Sequence, residues 1–203
     1  ALSSYMAAFS WNIMWIDCVV MLPLIALGIE NLVKKKKWLL YTLSLGFAIY
    51  SNYYIGIMLC IFSVLYFFVV LFSQKKITLY GSCVKILHFV KGSLLAGGLG
   101  AVMFLPALYA LSYTASADSA FPTQWKNYFS VMDMLARSLM SVDPAILNAN
   151  QPNIYCTVAV FIMIPLYCLS KKIDHKEKVG KVTLLLFLLL SFNMNIPNFI
   201  WHG

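Results

Sequence analysis

Residues 54–73, YIGIMLCIFSVLYFFVVLFS, carry no charged side chain and are closed by Gln74, Lys75 and Lys76. A helix rises about 1.5 Å per residue, so a run of this length spans the roughly 30 Å hydrocarbon core of a bilayer. That reading decides the fold. Working outward, five further apolar runs lie at 13–33, 38–51, 86–112, 153–170 and 182–200, each bounded by Lys clusters or by Asn, Ser and Pro. The prediction is an all-α polytopic transmembrane helix bundle with about six spans, one domain over residues 1–203. The run at 38–51 is short for a full span, so its end is expected below the outer surface.

The composition agrees. Hydrophobic residues make up 62% and charged residues 11%, against about 25% charge in soluble domains, and the mean hydropathy is +0.81. A water-soluble globule is excluded. The formal charge of +8 does not signal nucleic acid, because the basic residues form short Lys clusters between apolar runs. Thirteen of the fifteen fall on one side of a six-span topology, from Lys34–Lys37 to Lys181, and only Lys126 and Arg137 on the other. Positive charge stays on the cytoplasmic side, which places both ends of the segment outside. The five cysteines, Cys18, Cys60, Cys83, Cys156 and Cys168, are odd in number and avoid the long polar segment, so neither a disulfide framework nor a metal site is expected. The chain opens on Ala1 without an initiator Met, and is expected to be part of a longer polytopic protein.

The polar segment 113–152 is the one sizeable outer loop, with Asp118, Lys126, Asp133, Arg137 and Asp143. Ser130-Val131-Met132-Asp133 has the pattern of a capping box, followed by Met134, Leu135, Leu139 and Met140 among polar positions. It predicts a short amphipathic helix on the outer interface. The Ser, Ala, Asp and Pro stretch at 115–123 reads as a loop. In the run at 86–112, Ser93, Ala96, Gly97, Gly98, Gly100 and Ala101 recur at four-residue spacings that admit a neighbouring helix closely. Pro23, Pro106 and Pro165 each interrupt a span, where a kink is expected.

Soluble-enzyme signatures are missing: there is no phosphate-binding glycine loop, no Cys or His pair at metal spacing and no nucleophile elbow. Chemistry would have to be built at the outer face. Asp17 lies a few residues inside the first span, after Asn12 and Trp15, and a carboxylate there needs a cavity, a partner or reach to interfacial water. It is the candidate catalytic base. Arg137, the sole arginine, offers the planar fork that suits phosphate; the structural alternative is an i to i+4 pair with Asp133. Lys126 is the second cation of that face. Asn52, Tyr53 and Tyr54 form an outer turn, and with Trp15, Trp201 and His202 they supply amide, phenol, indole and imidazole groups for a sugar or acceptor. Interfacial anchoring accounts equally for the aromatics. Asn193 and Asn195 add amides near the end of the last span.

At these residues the chain resembles a known family. Asn12-Ile13-Met14-Trp15-Ile16-Asp17, Leu22-Pro23-Leu24, Gly28-Ile29-Glu30, Ser51-Asn52-Tyr53-Tyr54-Ile55-Gly56, Pro106, Asn153-Ile154-Tyr155-Cys156 and Trp201-His202-Gly203 together look like the YfhO family of bacterial membrane proteins, whose members are longer and similar to C-type membrane glycosyltransferases. The resemblance implies transfer of a sugar from a polyprenyl-phosphate donor to a cell-wall polymer such as lipoteichoic acid, on the outer face of the bacterial cytoplasmic membrane. No cofactor is expected, a divalent metal staying open, and no nucleic-acid partner. In C-type enzymes the catalytic carboxylate usually sits in the first outer loop, which is expected to precede Ala1, and this competes with Asp17. Two other classes stay open: a lipid-linked sugar flippase or transporter, which would need polar groups along a path through the midplane, and a non-catalytic scaffold subunit.

Overall fold

The structure, a computed structural model, describes residues 3–75, 77–114, 121–139 and 152–202. These residues are all-α. A short helix α1 (Ser4–Phe9), which the hydropathy did not reveal, is capped by the Ser3 hydroxyl accepting from the Met6 N–H. The first long helix, α2 (Ile13–Lys35), ends where Lys36 turns left-handed at φ 58° and its N–H bonds back to the last turn, a common helix stop. Helices α3 (Leu39–Ser51) and α4 (Tyr53–Phe72) meet at Asn52 alone, whose side-chain oxygen accepts from the Ile55 N–H at 3.0 Å and so starts α4. Then comes α5 (Leu79–Leu111), 33 residues and about 50 Å long. It begins seven residues before the predicted start, capped by Thr78 on the Gly81 N–H. Hydropathy misses this extension, residues 79–85, because Ser82 and Lys85 dilute its apolar character. The Lys91 ammonium lies 5.4 Å from the Trp38 ring at the start of α3, and Phe89 just before it is still buried in the core.

The shortest predicted span is the most enclosed. Helix α3 packs against α2, α4 and α5 and buries Tyr41, Thr42, Leu45, Ala48 and Ile49. Its main contact is with α5, through the face of Gly92, Ala96 and Gly100. A Cβ on Gly100 would run into the Ile49 side chain, whereas Gly97 and Gly98 have nothing within 4 Å. The small-residue stripe is therefore Gly92–Ala96–Gly100, and the expected Ser93–Gly97 and Gly97–Ala101 rows do not form it. On the α2 side a Cβ on Gly28 would stand 2.5 Å from the Tyr41 backbone nitrogen, so α2 and α3 touch backbone to backbone. Two side-chain bonds cross the α3–α5 seam, Thr42 Oγ1 to the Gly92 carbonyl at 3.2 Å and Tyr41 Oη with Ser93 Oγ at 2.7 Å. Phe89 stacks on Phe67 and Tyr41 beside them.

Helix α6 (Val131–Ala136) has the predicted capping box: Ser130 accepts from the Asp133 N–H, and the Asp133 carboxylate accepts from the Ser130 backbone. Helix α7 (Val158–Leu169) leaves all its residues at least partly exposed, and α8 (His175–Asn193) packs on α4. The run 182–200 is not one helix. It breaks at Met194, extended at φ −104° and ψ 132°, and resumes as α9 (Asn195–His202). Pro197 has no N–H to give the Asn193 carbonyl, which instead accepts from Tyr128 N–H at 2.9 Å. The helices run on through Pro23, Pro106 and Pro165.

Among the described residues three helices, α2, α4 and α5, are long and apolar enough to cross a membrane singly. Helices α3 and α7 have 13 and 12 residues, about 18–20 Å, and α8 opens with a charged turn. The apolar runs looked longer because they counted the flanking residues that cap and connect these helices. Asp118, Met140 and Asp143 of the outer loop lie outside the described residues, as do 115–120 of the loop expected at 115–123.

Candidate functional site

Two ends of the bundle carry the polar chemistry. At one end, α2 begins and α3 finishes, with the Cys18 thiol donating to the Ala48 carbonyl at 3.4 Å. Helix α1 comes to this end, its Ser4 N–H donating to the Tyr155 carbonyl at 2.8 Å, and so does α9, whose His202 ring lies 5.7 Å from that of Tyr54. Both described ends of the chain are therefore at the end that the sequence reading places outside.

The predicted site residues fall into three groups here. Tyr54 and His202 are brought together, the imidazole Nδ1 also lying 2.7 Å from the Asn198 carbonyl; Tyr53 is half-buried beside them in sequence, as is Trp201 one residue before His202. Asn52 spends its side-chain oxygen on capping α4. Trp15 is half-buried and packs on Phe9 at 5.8 Å, which in turn packs on Tyr5. This ladder fixes α1 onto α2. Asp17 is exposed and makes no hydrogen bond or ion pair among the described residues. Its neighbour Cys18 is fully buried, and a step of about 100° per residue turns the carboxylate off the face that meets α3.

Arg137 does not pair with Asp133, whose carboxylate is committed to Ser130. Its Nε donates to the Pro152 carbonyl and its Nη2 to Asn153 Oδ1, both at 3.1 Å. The guanidinium thus ties the end of α6 to the segment leading into α7. That uses two of five donors. Beside it, Met132, Leu135, Ala136 and Leu139 face Val158 and Phe161 across an apolar cavity of about 850 Å³. The Lys126 side chain is exposed, and its backbone is held by the break between α8 and α9. Asn195 Oδ1 accepts from the Lys126 N–H at 2.9 Å, Asn195 Nδ2 donates to the Gln124 carbonyl at 2.8 Å, and Asn193 Oδ1 accepts from the Phe129 N–H at 2.8 Å. With the antiparallel bridge between Asn127 and Met194, residues 124–129 are latched into the interrupted helix.

The opposite end gathers charge. Glu30 of α2 accepts from Tyr66 Oη at 2.9 Å and pairs with Lys34 at 2.7 Å. Lys181 of α8 lies 3.9 Å from Glu30 and 2.8 Å from Glu177, with its ammonium 5.8 Å from the Tyr167 ring. Among the described residues no three His, Cys, Asp or Glu gather as metal ligands would.

The family model described as bacterial membrane protein YfhO matches residues 1–203. The chain belongs to the YfhO family. No curated protein and no solved structure matches it. In this YfhO-family chain, two of the roles the structure reveals were not read from the sequence. The asparagine latch is one, visible in sequence only as two amides flanking Met194 ahead of Pro197. The Glu30–Lys181 network is the other. Its signal was present in the i to i+4 spacings Glu30–Lys34 and Glu177–Lys181, but the link between α2 and α8 crosses some 150 residues and has no local trace.

Proposed function

We propose that this membrane protein is a glycosyltransferase module that moves a sugar from a polyprenyl-phosphate donor to a cell-wall polymer such as lipoteichoic acid, on the outer face of the bacterial cytoplasmic membrane. The observation that carries the reading is the apolar cavity between α6 and α7 with Arg137 beside it. A lipid-linked donor needs an apolar groove for its chain next to a cation for its phosphate, and this pair supplies both. Arg137 has donors left after fixing Pro152 and Asn153, so one guanidinium serves the fold and the phosphate together. Lys126 adds charge on the same face. Tyr54, His202, Tyr53, Trp15 and Trp201 supply surfaces on which a sugar or acceptor rests. A carboxylate must accept the proton of the acceptor hydroxyl as the glycosidic bond forms; Asp17 is the candidate within this segment, and the family resemblance puts a competing carboxylate before Ala1.

The test is sugar transfer in membranes holding the whole protein. Ala136→Trp fills the cavity and is expected to raise the KM for a long-chain donor about tenfold, the equivalent of about two buried methylenes, with a smaller effect on a short-chain donor. Equal rates for both donors in the variant and the parent overturn the reading. For Arg137, the comparison is with Asn153→Ala, which removes a structural partner and leaves the cation. Loss of a charge-assisted phosphate contact costs about 1.5–3 kcal/mol, so Arg137→Ala should weaken donor binding by at least tenfold more than Asn153→Ala. Matching effects would make Arg137 a structural tie alone.

A further inference from the structure

The charged end of the bundle holds a site that sugar transfer does not use. Beside the Glu30–Lys181 network a cavity of about 450 Å³ is lined by Glu30, Lys34, Lys75, Glu177 and Lys181. Three ammonium groups against two carboxylates leave its lining with one positive charge in excess. Lys34 and Lys181 are placed by their carboxylate partners, whereas Lys75 is exposed at the end of α4 and pairs with nothing among the described residues. Val69 of α4 and its C-cap Ser73 line this cavity and also a second one, about 530 Å³ and mostly apolar, that runs between α4 and α8 past Phe68, Phe72, Val179 and Thr183 and also takes in His175 and Lys176. Gly180 sets the floor between them: a Cβ there would stand 3.0 Å from the Val69 side chain, so the two helices approach closely at the point where the charged pocket becomes the apolar groove.

We propose that this is a binding site for a phospholipid of net charge minus one, its phosphate held over Lys34, Lys75 and Lys181 and one acyl chain lying in the α4–α8 groove. The charge excess matches a single phosphodiester. A soluble phosphate would need the pocket only; the continuity with an apolar groove at the Lys-rich end of the bundle selects a lipid. Basic pockets between helices at the membrane surface bind anionic headgroups for this reason. A headgroup hydroxyl donating to the Glu177 carboxylate of the lining would favour a glycerol headgroup over choline. The site is independent of the sugar-transfer reading and stands if that reading fails.

The experiment is native mass spectrometry of the whole purified protein in detergent, titrated with dioleoyl-phosphatidylglycerol and with dioleoyl-phosphatidylcholine. Phosphatidylglycerol should be retained preferentially, and each Lys charge near the surface is expected to be worth about fivefold in affinity. Lys75→Glu, a two-charge change at an exposed and unpaired position, should weaken phosphatidylglycerol binding by about thirtyfold. Lys37→Glu, at the same end but outside the lining, should change it far less. Thr183→Trp, which blocks the groove and leaves the charges intact, should also lower retention. Equal retention of the two lipids overturns the proposal, as does an equal loss from Lys37→Glu and Lys75→Glu, which would mean diffuse attraction. Glycerol phosphate displacing the lipid at matching concentration, or no effect of Thr183→Trp, would show an anion pocket without a chain groove and overturn it as well.

Discussion

Asn195 shows how one amide can hold two distant segments: its oxygen and nitrogen take the Lys126 N–H and the Gln124 carbonyl, about seventy residues back in the chain. Each bond contributes about 0.5–1.5 kcal/mol net. Asn195→Ala should therefore raise the hydrogen-exchange rate of the Lys126 amide by about five- to 150-fold, while exchange in the α3–α5 core stays as it was. Unchanged exchange at Lys126 would mean that the loop is held by the Asn193 contacts alone. Arg137 teaches the same lesson at residue scale. Its spacing from Asp133 invited a helix-surface pair, yet the shorter Asp133 side chain folds back onto Ser130, and the longer guanidinium reaches across to Pro152 and Asn153.

For the elements, the decisive contact is the α3–α5 seam. The Gly92–Ala96–Gly100 face lets a 13-residue helix sit against a neighbour closely enough for Thr42 and Tyr41 to bond across. Gly100→Val places atoms where the Ile49 side chain already is, and overpacking of this kind costs about 1–3 kcal/mol. The detergent-solubilised protein should melt several degrees lower. Gly97→Val, on a face with nothing within 4 Å, should leave the melting temperature the same or higher. A similar loss from both variants would refute the seam as assigned. Helix α6 is six residues long, too short to persist unaided. Ser130→Ala, which removes its cap at a cost of about 1 kcal/mol, should release the Met134 and Arg137 amides to exchange.

At the scale of the whole molecule, the two chemically distinct ends make a prediction about sidedness. Thr123 belongs to the end that receives α1, α9 and the outer loop; Lys172 belongs to the end of Lys34 and Lys181. In a cysteine-free background, a membrane-impermeant thiol reagent should label Thr123→Cys in intact cells and Lys172→Cys only after permeabilisation. The opposite pattern would invert the protein and place the α6–α7 cavity on the cytoplasmic side.

That the chain is an all-α membrane protein was legible in its residues alone, because hydropathy and charge clustering are sums over neighbouring residues and need no fold to be evaluated. So was the Ser130–Asp133 capping box, which closes within four residues. The order of the family's short motifs was legible for the same reason. Tertiary structure decided what depends on partners far away in the chain: that the shortest apolar run becomes the enclosed helix, that Gly100 rather than Gly97 faces α3, that the last run breaks at Met194 to receive the outer loop, and that Glu30 meets Lys181. A helical stripe of small residues has several equivalent faces in sequence, and a carboxylate has several possible cations. Only the packing of the other helices selects among them, since close approach and charge pairing are properties of pairs of surfaces and not of either surface alone.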